Sequence, residues 1–411
     1  MTRLKPQCRD FANPRHLMDT LNQAMPPSKR CELGKRTGYD YGAHKIFFQP
    51  YFRALILREC TGRASLTDLT DATRHDPLYR VHGAHMEVST SAFSQANANR
   101  PLEPFLMILQ AVLGAIGRLP SSAKVLRDVD SKTLRGIADL LTQTSIFDAT
   151  TLSLPPKIAD WAKTSEDQAG IKVQLRLQAG YGGLDKVMIT GAAGNDNPYF
   201  SLLLDLEEDA HRIYLFDAGY FNIARYEEIT DSGNFFVTTL HSNIHFEVAE
   251  TRPVPGQIGP SGYTIHHDWM VCLGEGERRT EARYRVLEVT DSQGHYTSIL
   301  TNMLEESAER ICLLRRYRWT VETVVRWLKK QLHLDHLISY SPKGVILQVV
   351  IALIVYGLLV LYHQGGPFSL VRLRRRIKND LHQALIDYGY QLGLREGLKL
   401  ASGTSPPVLP T

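Results

Sequence analysis

Three carboxylates stand where they could share a cation. Asp148 closes the apolar run "SIFDATT", Asp217 closes "YLFDAGY", and Glu322 lies in "RRYRWTVETVVRWLKK", residues 315–330, among six Lys and Arg side chains. An Asp after an apolar run emerges where a strand meets solvent, and at either position alone a turn or cap role explains it as well. Two such Asp residues and a Glu from a third element make a different object. Carboxylates from separate elements can hold two divalent ions, which clamp the attacking and leaving oxygens of a phosphodiester.

The surroundings of Glu322 sharpen that reading. On a helix turning about 100° per residue, with Glu322 at zero, Arg315 falls at roughly +20°, Arg318 at roughly −40°, Arg326 at roughly +40° and Lys329 at roughly −20°. All four cations therefore share the face of the acid, while Tyr317, Val321, Val324 and Leu328 cluster elsewhere as a buried stripe. Two readings fit this face. In one it is solvated, with Arg318–Glu322 and Glu322–Arg326 pairs contributing about a few tenths of a kcal/mol each. In the other the cations serve a polyanion, since one carboxylate does not neutralise four of them and a phosphodiester backbone with metal at the acid accounts for both signs.

The elements that must position these residues can be read in order. Residues 1 to about 135 are mostly helical: "YFRALILREC" and "PLEPFLMILQAVLGAIG" have helical periodicity, and "GRASLTDLTDAT" and "VSTSAFSQANANR" are short polar helices opened by Ser or Thr caps. Short helices joined by tight turns are compatible with a helix-turn-helix region and with many other bundles. After residue 140, "SIFDATTLSL", "IKVQLRLQA" and "DKVMITGA" read as antiparallel strands. "NPYFSLLLDLEEDA" follows as a helix, "RIYLFDAGY" as a strand, "NIARYEEITDSG" as a helix ended by Gly233, and "NFFVTTL" as a strand, which makes an α/β domain with a mixed sheet. In that order the strands of Asp148 and Asp217 are neighbours. From 241 to about 290 the pattern is β-rich, with "DSQG" as a hairpin turn, and this stretch is expected to be an insertion ahead of the basic helix.

The totals set bounds. With 411 residues and 43% hydrophobic content the chain can bury the cores of two or three domains. A net charge of +4 permits a polyanionic partner without demanding one, but the basic residues are patched. Residues 310–343 hold eight Lys/Arg against two acids, residues 1–50 nine against four, and "RLRRRIK" adds five more. Five scattered cysteines without a CxxC pair fit reduced thiols, and the N-terminus lacks the apolar core of a secretory signal. "VILQVVIALIVYGLLVLY", residues 345–362, approaches the length of a membrane span but contains Gln348, and is expected to be a buried helix packed on the sheet.

Taken together, "FDATTLSLP", "LFDAGYF", "FFVTTLHSN", "SILTNM" and "YRWTVETVVRWLKKQL" resemble the DDE transposases of bacterial insertion sequences, specifically the fourth insertion-sequence family, from about residue 60 to 365. The resemblance implies a ribonuclease-H-like fold, mixed α and β, with Asp148, Asp217 and Glu322 as catalytic ligands of two Mg²⁺ or Mn²⁺ ions. It implies cleavage of double-stranded DNA at terminal inverted repeats and strand transfer into target DNA, by a cytoplasmic homodimer that meets the nucleoid when bound and has no membrane anchor. The domains expected are a helical, DNA-binding region at 1–135, the first part of the catalytic domain at 136–240, a β-rich insertion at 241–290, the remainder with the Glu helix at 291–365, and a basic segment with a disordered tail at 366–411.

Arg318 and Lys329 match the family's basic positions around the Glu and, with Arg315 and Arg326, are expected to hold phosphates. Arg315 occupies a position where relatives carry Tyr, and Ala218 one where they carry a basic residue. Trp269 is a core residue or, by the resemblance, one that stacks a flipped base. The adjacent His266 and His267 of "HHDW" point to opposite faces of a strand and cannot easily share a metal, and "GYGGL" and "GAAGN" lack the ending of a phosphate loop. The alternative to an active enzyme is a DNA-binding protein derived from a transposase that has lost catalysis.

Overall fold

The computed structural model describes residues 15–63, 65–118, 136–179, 183–193, 197–254, 258–276, 279–318 and 337–363. Among these the chain forms two compact units, one of 15–115 with 337–362 and one of 116–318 with His363.

The first unit contains α1 (Arg15–Ala24), α2 (Pro27–Arg36), α3 (Phe48–Thr61), α4 (Leu66–His75), α5 (Pro77–Val81), α6 (Thr90–Asn99) and most of α7 (Glu103–Gly117). Short polar caps start the short helices. Ser65 and Asp68 form a reciprocal capping box on α4, the Ala92 amide donates to Ser89 Oγ at 3.2 Å on α6, and the Leu78 amide donates to Asp76 Oδ1 at 2.9 Å on α5. An aromatic core holds them together, with the Phe105 ring 5.1 Å from Phe48 and 5.8 Å from Tyr39.

The second unit begins with α8 (Ala138–Thr142), followed by β1 (Thr144–Leu154), β2 (Lys163–Ser165), β3 (Gln168–Gln178), β4 (Gly183–Gly191), α9 (Asn197–Leu203), β5 (Ile213–Leu215), α10 (Ile223–Asp231) and β6 (Phe235–Thr239). Then come β7 (Phe246–Thr251), β8 (Tyr263–Leu273), β9 (Tyr284–Asp291), β10 (Tyr296–Thr301) and α11 (Ala308–Tyr317). One ten-stranded sheet runs β3-β1-β5-β6-β10-β9-β8-β7, with β4 and the short β2 on the outer side of β3. Along β4-β3-β1-β5-β6 the pairings are antiparallel, antiparallel, parallel and parallel, which is a ribonuclease-H-like core. The β-rich stretch after residue 240 is no separate layer: its four strands extend the same sheet from the edge of β6.

Two elements differ from expectation. The helix expected over 197–210 stops at Leu203, because the acids beyond it turn back to a buried guanidinium: Arg176 Nη2 donates to Asp209 Oδ2 at 2.7 Å and Nη1 to the Leu203 carbonyl at 3.1 Å. The apolar segment forms α12 (Pro342–His363), long and apolar enough to cross a membrane yet with 94% of its apolar window buried within the protein. It falls in the first unit, with the N-terminal helices, and not with the sheet where the sequence places it. A helix apolar on almost every side has no single face to declare its partner. Gln348 is satisfied inside, accepting the Ile338 amide at 2.9 Å.

A buried ion pair fixes the approach to α11. Arg285 on β9 donates from Nε to Asp268 Oδ1 at 2.8 Å and from Nη2 to Oδ2 at 2.6 Å, with both side chains 4% exposed or less. Its Nη1 reaches the carbonyls of Leu304 and Glu306, just before Ser307 caps α11. Removing one partner leaves an uncompensated buried charge. Arg285→Met is expected to cost about 3–5 kcal/mol in denaturant unfolding, with much of it recovered in Arg285→Met/Asp268→Leu, whose two apolar residues leave no charge behind.

Candidate active site

The parallel strands set the level of the acids. Ile146 pairs with Leu215 as the last step of the β1–β5 ladder, and Leu215 pairs with Val237 across β5–β6. Two residues further on each strand stand Asp148, Asp217 and Thr239. Parallel partners share a face and so do residues two apart, so these three residues stand in one row on one face, just past strands spaced about 4.8 Å apart. The intervening Phe147 and Phe216 point the other way, into a cluster with Phe200, Leu203, Tyr226 and Ile229 of α9 and α10. Asp148 does not end its strand, as the sequence suggests. β1 runs on to Leu154 against β3, and the Thr-rich "ATTLSL" keeps the extended form after β5 has stopped.

Asp217 turns the chain as well as facing the row. It is extended, with φ −90° and ψ 175°, and its Oδ1 accepts the Gly219 amide at 2.9 Å to open a short 3-10 turn. Tyr220 pins that turn, its ring 4.6 Å from Phe200. His241, two residues past Thr239, donates from Nε2 to the Ala218 carbonyl at 2.8 Å, and because a carbonyl only accepts, Nε2 carries the hydrogen. Asp148 and Asp217 are both half-buried, at a level reachable by an ion from solvent. Paired carboxylates one strand apart are hard oxygen donors of the kind that suits Mg²⁺ or Mn²⁺, so the residues present fit the divalent metal the sequence implies.

The basic helix is tied to the sheet at two points, one of them in this row. Arg315 Nε donates to Thr239 Oγ1 at 3.1 Å, so its guanidinium lies on the level of the two Asp residues. Tyr317 OH donates to the Ala179 carbonyl at 2.8 Å just beyond β3, and burial pushes its phenol pKa up. β3 and β6 flank β1 and β5, so the last turn of α11 is tied on either side of the strands that carry the acids. Tyr317 thus faces the core and Arg315 the row, as the helical count requires. Arg318 is nearly buried and keeps helical angles, φ −54° and ψ −34°, at the last described residue of this segment. Glu322, Arg326 and Lys329 lie outside the described residues.

Trp269 is not brought to the row. It pairs with Val286, whose side chain belongs to the opposite face, packs against the Phe147 cluster, and stacks on His267 at 4.5 Å. His266 turns instead to Thr290 Oγ1 at 2.7 Å. Thr239 and His241 went unremarked in the sequence although both stand in "FFVTTLHSN". Their place shows only through the pairing: Asp217 and Thr239 each lie two residues past an apolar strand residue that pairs with the other's.

Residues 139–358, more than half of the 411, match the Transposase DDE domain family. The chain belongs to the DDE transposases. A probable transposase for insertion sequence element IS5377 from Geobacillus stearothermophilus is 25% identical over 265 residues, 61% of this chain and 68% of the relative. Putative transposase y4zB from Sinorhizobium fredii is 27% identical over 283 residues, 69% of this chain and 74% of its own. The cryo-EM structure of the piggyBac transposase synaptic complex with hairpin DNA aligns over 99% of this chain and 88% of its own, at a TM-score of 0.48 and 10% identity. In this DDE transposase the Tyr317 hydroxyl is the tie that a single atom can remove: Tyr317→Phe is expected to cost about 1–2 kcal/mol in thermal unfolding. An unchanged melting temperature would show that Ala179 does not anchor the helix.

Proposed function

We propose that the protein cuts DNA strands at the ends of its own insertion sequence and joins them to target DNA, acting as a homodimer in the bacterial cytoplasm. The observation that carries this reading is the row of Asp148 and Asp217 on neighbouring parallel strands, with Arg315 held at the same level through Thr239. A DNA-binding relic would have no reason to keep both carboxylates half-exposed on one face.

Asp148, Asp217 and Glu322 would hold two divalent ions, Mg²⁺ or Mn²⁺, which activate the attacking oxygen and stabilise the leaving one. Arg315 and Arg318, with Arg326 and Lys329 further along, neutralise the phosphates on either side of the scissile bond and orient it against the acids. Arg315 offers a planar fork of donors where relatives carry a hydroxyl, and it remains charged at any pH the cell reaches. Holding Nε at Thr239 sets the plane of that fork. Thr239 is therefore a positioning residue, acting on the substrate only through Arg315.

The test uses the purified full chain, Mg²⁺ and labelled DNA from the flanks of its own gene. Glu322→Gln is expected to abolish cleavage yet leave end binding nearly intact, because it removes a metal ligand and adds no repulsion. Thr239→Val should slow cleavage about tenfold with binding unchanged, while Thr239→Ser keeps the wild-type rate. Arg315→Tyr should preserve or raise cleavage. A wild-type chain that binds the ends but never cuts them in Mg²⁺ or Mn²⁺ would leave the catalytically lost DNA-binding protein as the right reading.

A further inference from the structure

Four Ser and Thr hydroxyls on the strands are buried with no hydrogen-bond partner among the described residues: Ser145, Thr150, Thr190 and Thr238. A hydroxyl taken out of water without a partner costs stability, so each asks for a reason. Side chains alternate along a strand, and cross-strand partners share a face. Ser145 therefore lies with Phe147, and Thr238 with Phe236, on the face away from the acids. Thr190 pairs with Lys172, three positions from the Leu175 that pairs with Asp148, and so lies on that far face too. Of the four, Thr150 alone stands on the face of the acids, two residues past Asp148.

Its neighbours on that face are apolar on every side but one. Leu152 follows it on β1, Val173 lies directly across on β3 between Ile171 and Leu175, and all four are buried. On the other flank β5 ends at Leu215, and the chain leaves in the turn that Asp217 opens. The remaining neighbour is Asp148. At about 3.3 Å per residue the two positions stand about 6.6 Å apart. That is too long for one hydrogen bond and close to the span of two in series, about 2.8 Å each, through a single water. Thr150 is 5% exposed, so its hydroxyl is shut off from bulk solvent and opens only toward the acid row.

A hydrated cation on Asp148 would satisfy this hydroxyl. Mg²⁺ gives up water reluctantly and keeps several waters when carboxylates bind it. A water held to a cation through its oxygen turns both hydrogens outward, so its partners must accept, and a hydroxyl can. We propose that Thr150 is a positioning residue of the metal site, its Oγ1 accepting a hydrogen bond from the hydration shell of the divalent ion held by Asp148. The inference rests on the metal-dependent reading of the acid row and adds to it the residue that orders the ion's waters.

Binding of Mn²⁺ to the full chain, without DNA, is followed by electron paramagnetic resonance well below the melting temperature of every variant. Thermal unfolding is followed separately in chelator. Thr150→Val keeps the shape of the side chain and removes the hydroxyl. It is expected to weaken Mn²⁺ binding about 10- to 100-fold, as loss of a partner behind the metal ligands does. In chelator it should melt no lower than wild type, because the hydroxyl it removes has no partner to lose. Thr150→Ser should bind Mn²⁺ as the wild type does. If Asp148→Ala abolishes Mn²⁺ binding but Thr150→Val leaves it unchanged, this inference is overturned while the metal reading stands. Equal losses in Thr150→Ser and Thr150→Val would overturn it too, since the methyl and not the hydroxyl would then matter. A wild-type chain that binds no Mn²⁺, or whose binding survives Asp148→Ala, overturns the metal reading and this inference with it.

Discussion

The parallel ladder from β1 through β5 to β6 is the constraint on which the site depends. β5 is only three residues long, Ile213–Leu215, yet its register with Ile146 on one side and Val237 on the other determines that residues 148, 217 and 239 reach one level and one face. A slip of one residue on any of the three strands would turn its side chain into the aromatic cluster behind the sheet. That cluster guards the register: Phe147, Phe216 and Phe236 alternate with the row residues, and each is fully buried. Exposing even one aromatic of that size would forfeit about 2–3 kcal/mol, so the packing on one face holds the chemistry on the other.

The second requirement is that a helix distant in sequence arrive above this row at a defined height. Ser307 starts α11 with a capping bond to the Arg310 amide at 3.3 Å, and the carbonyls just before it are held by Arg285. Buried Ile311, Cys312 and Leu314 seat the helix, and burial raises the Cys312 thiol pKa to about 12, so that it stays a neutral apolar group. Tyr317 and Arg315 then tie its last turn on both sides of the acid-bearing strands. The β-rich stretch between β6 and α11 acquires a structural reason: its strands carry Arg285 and Asp268, whose pair sets the start of the helix.

Much of this was legible in the sequence because each feature was local. Alternation in "IKVQLRLQA", the Gly after α10, and the Ser caps of α4 and α6 each depend on residues within a few positions, and the strand order followed from the sequence of element types. What could not be read depended on partners far along the chain. The early end of α9 is caused by Arg176, over twenty residues upstream, and the home of α12 was hidden by its lack of a distinct face. Asp148 looked like a strand end because the apolar run stops there, whereas pairing with β3, a fact about another strand, carries β1 on to Leu154. Thr239 looked like an ordinary β-branched residue, since nothing in "FFVTT" reveals that it stands level with Asp217.

What Arg315 brings to the row is best understood through that threonine, by comparison with a tyrosine. A tyrosine presents one hydroxyl on a stiff ring and needs little help to aim it. An arginine in its place has four rotatable side-chain bonds and loses up to about 2 kcal/mol of rotamer freedom when fixed. A hydrogen bond from Nε to Thr239 offsets part of that cost and fixes the plane of the guanidinium. The same bond would be useless to a tyrosine, whose only polar atom lies at the tip. Arg315 and Thr239 therefore form a unit, in which the strand residue makes an intrinsically flexible cation as directional as a tyrosine would be.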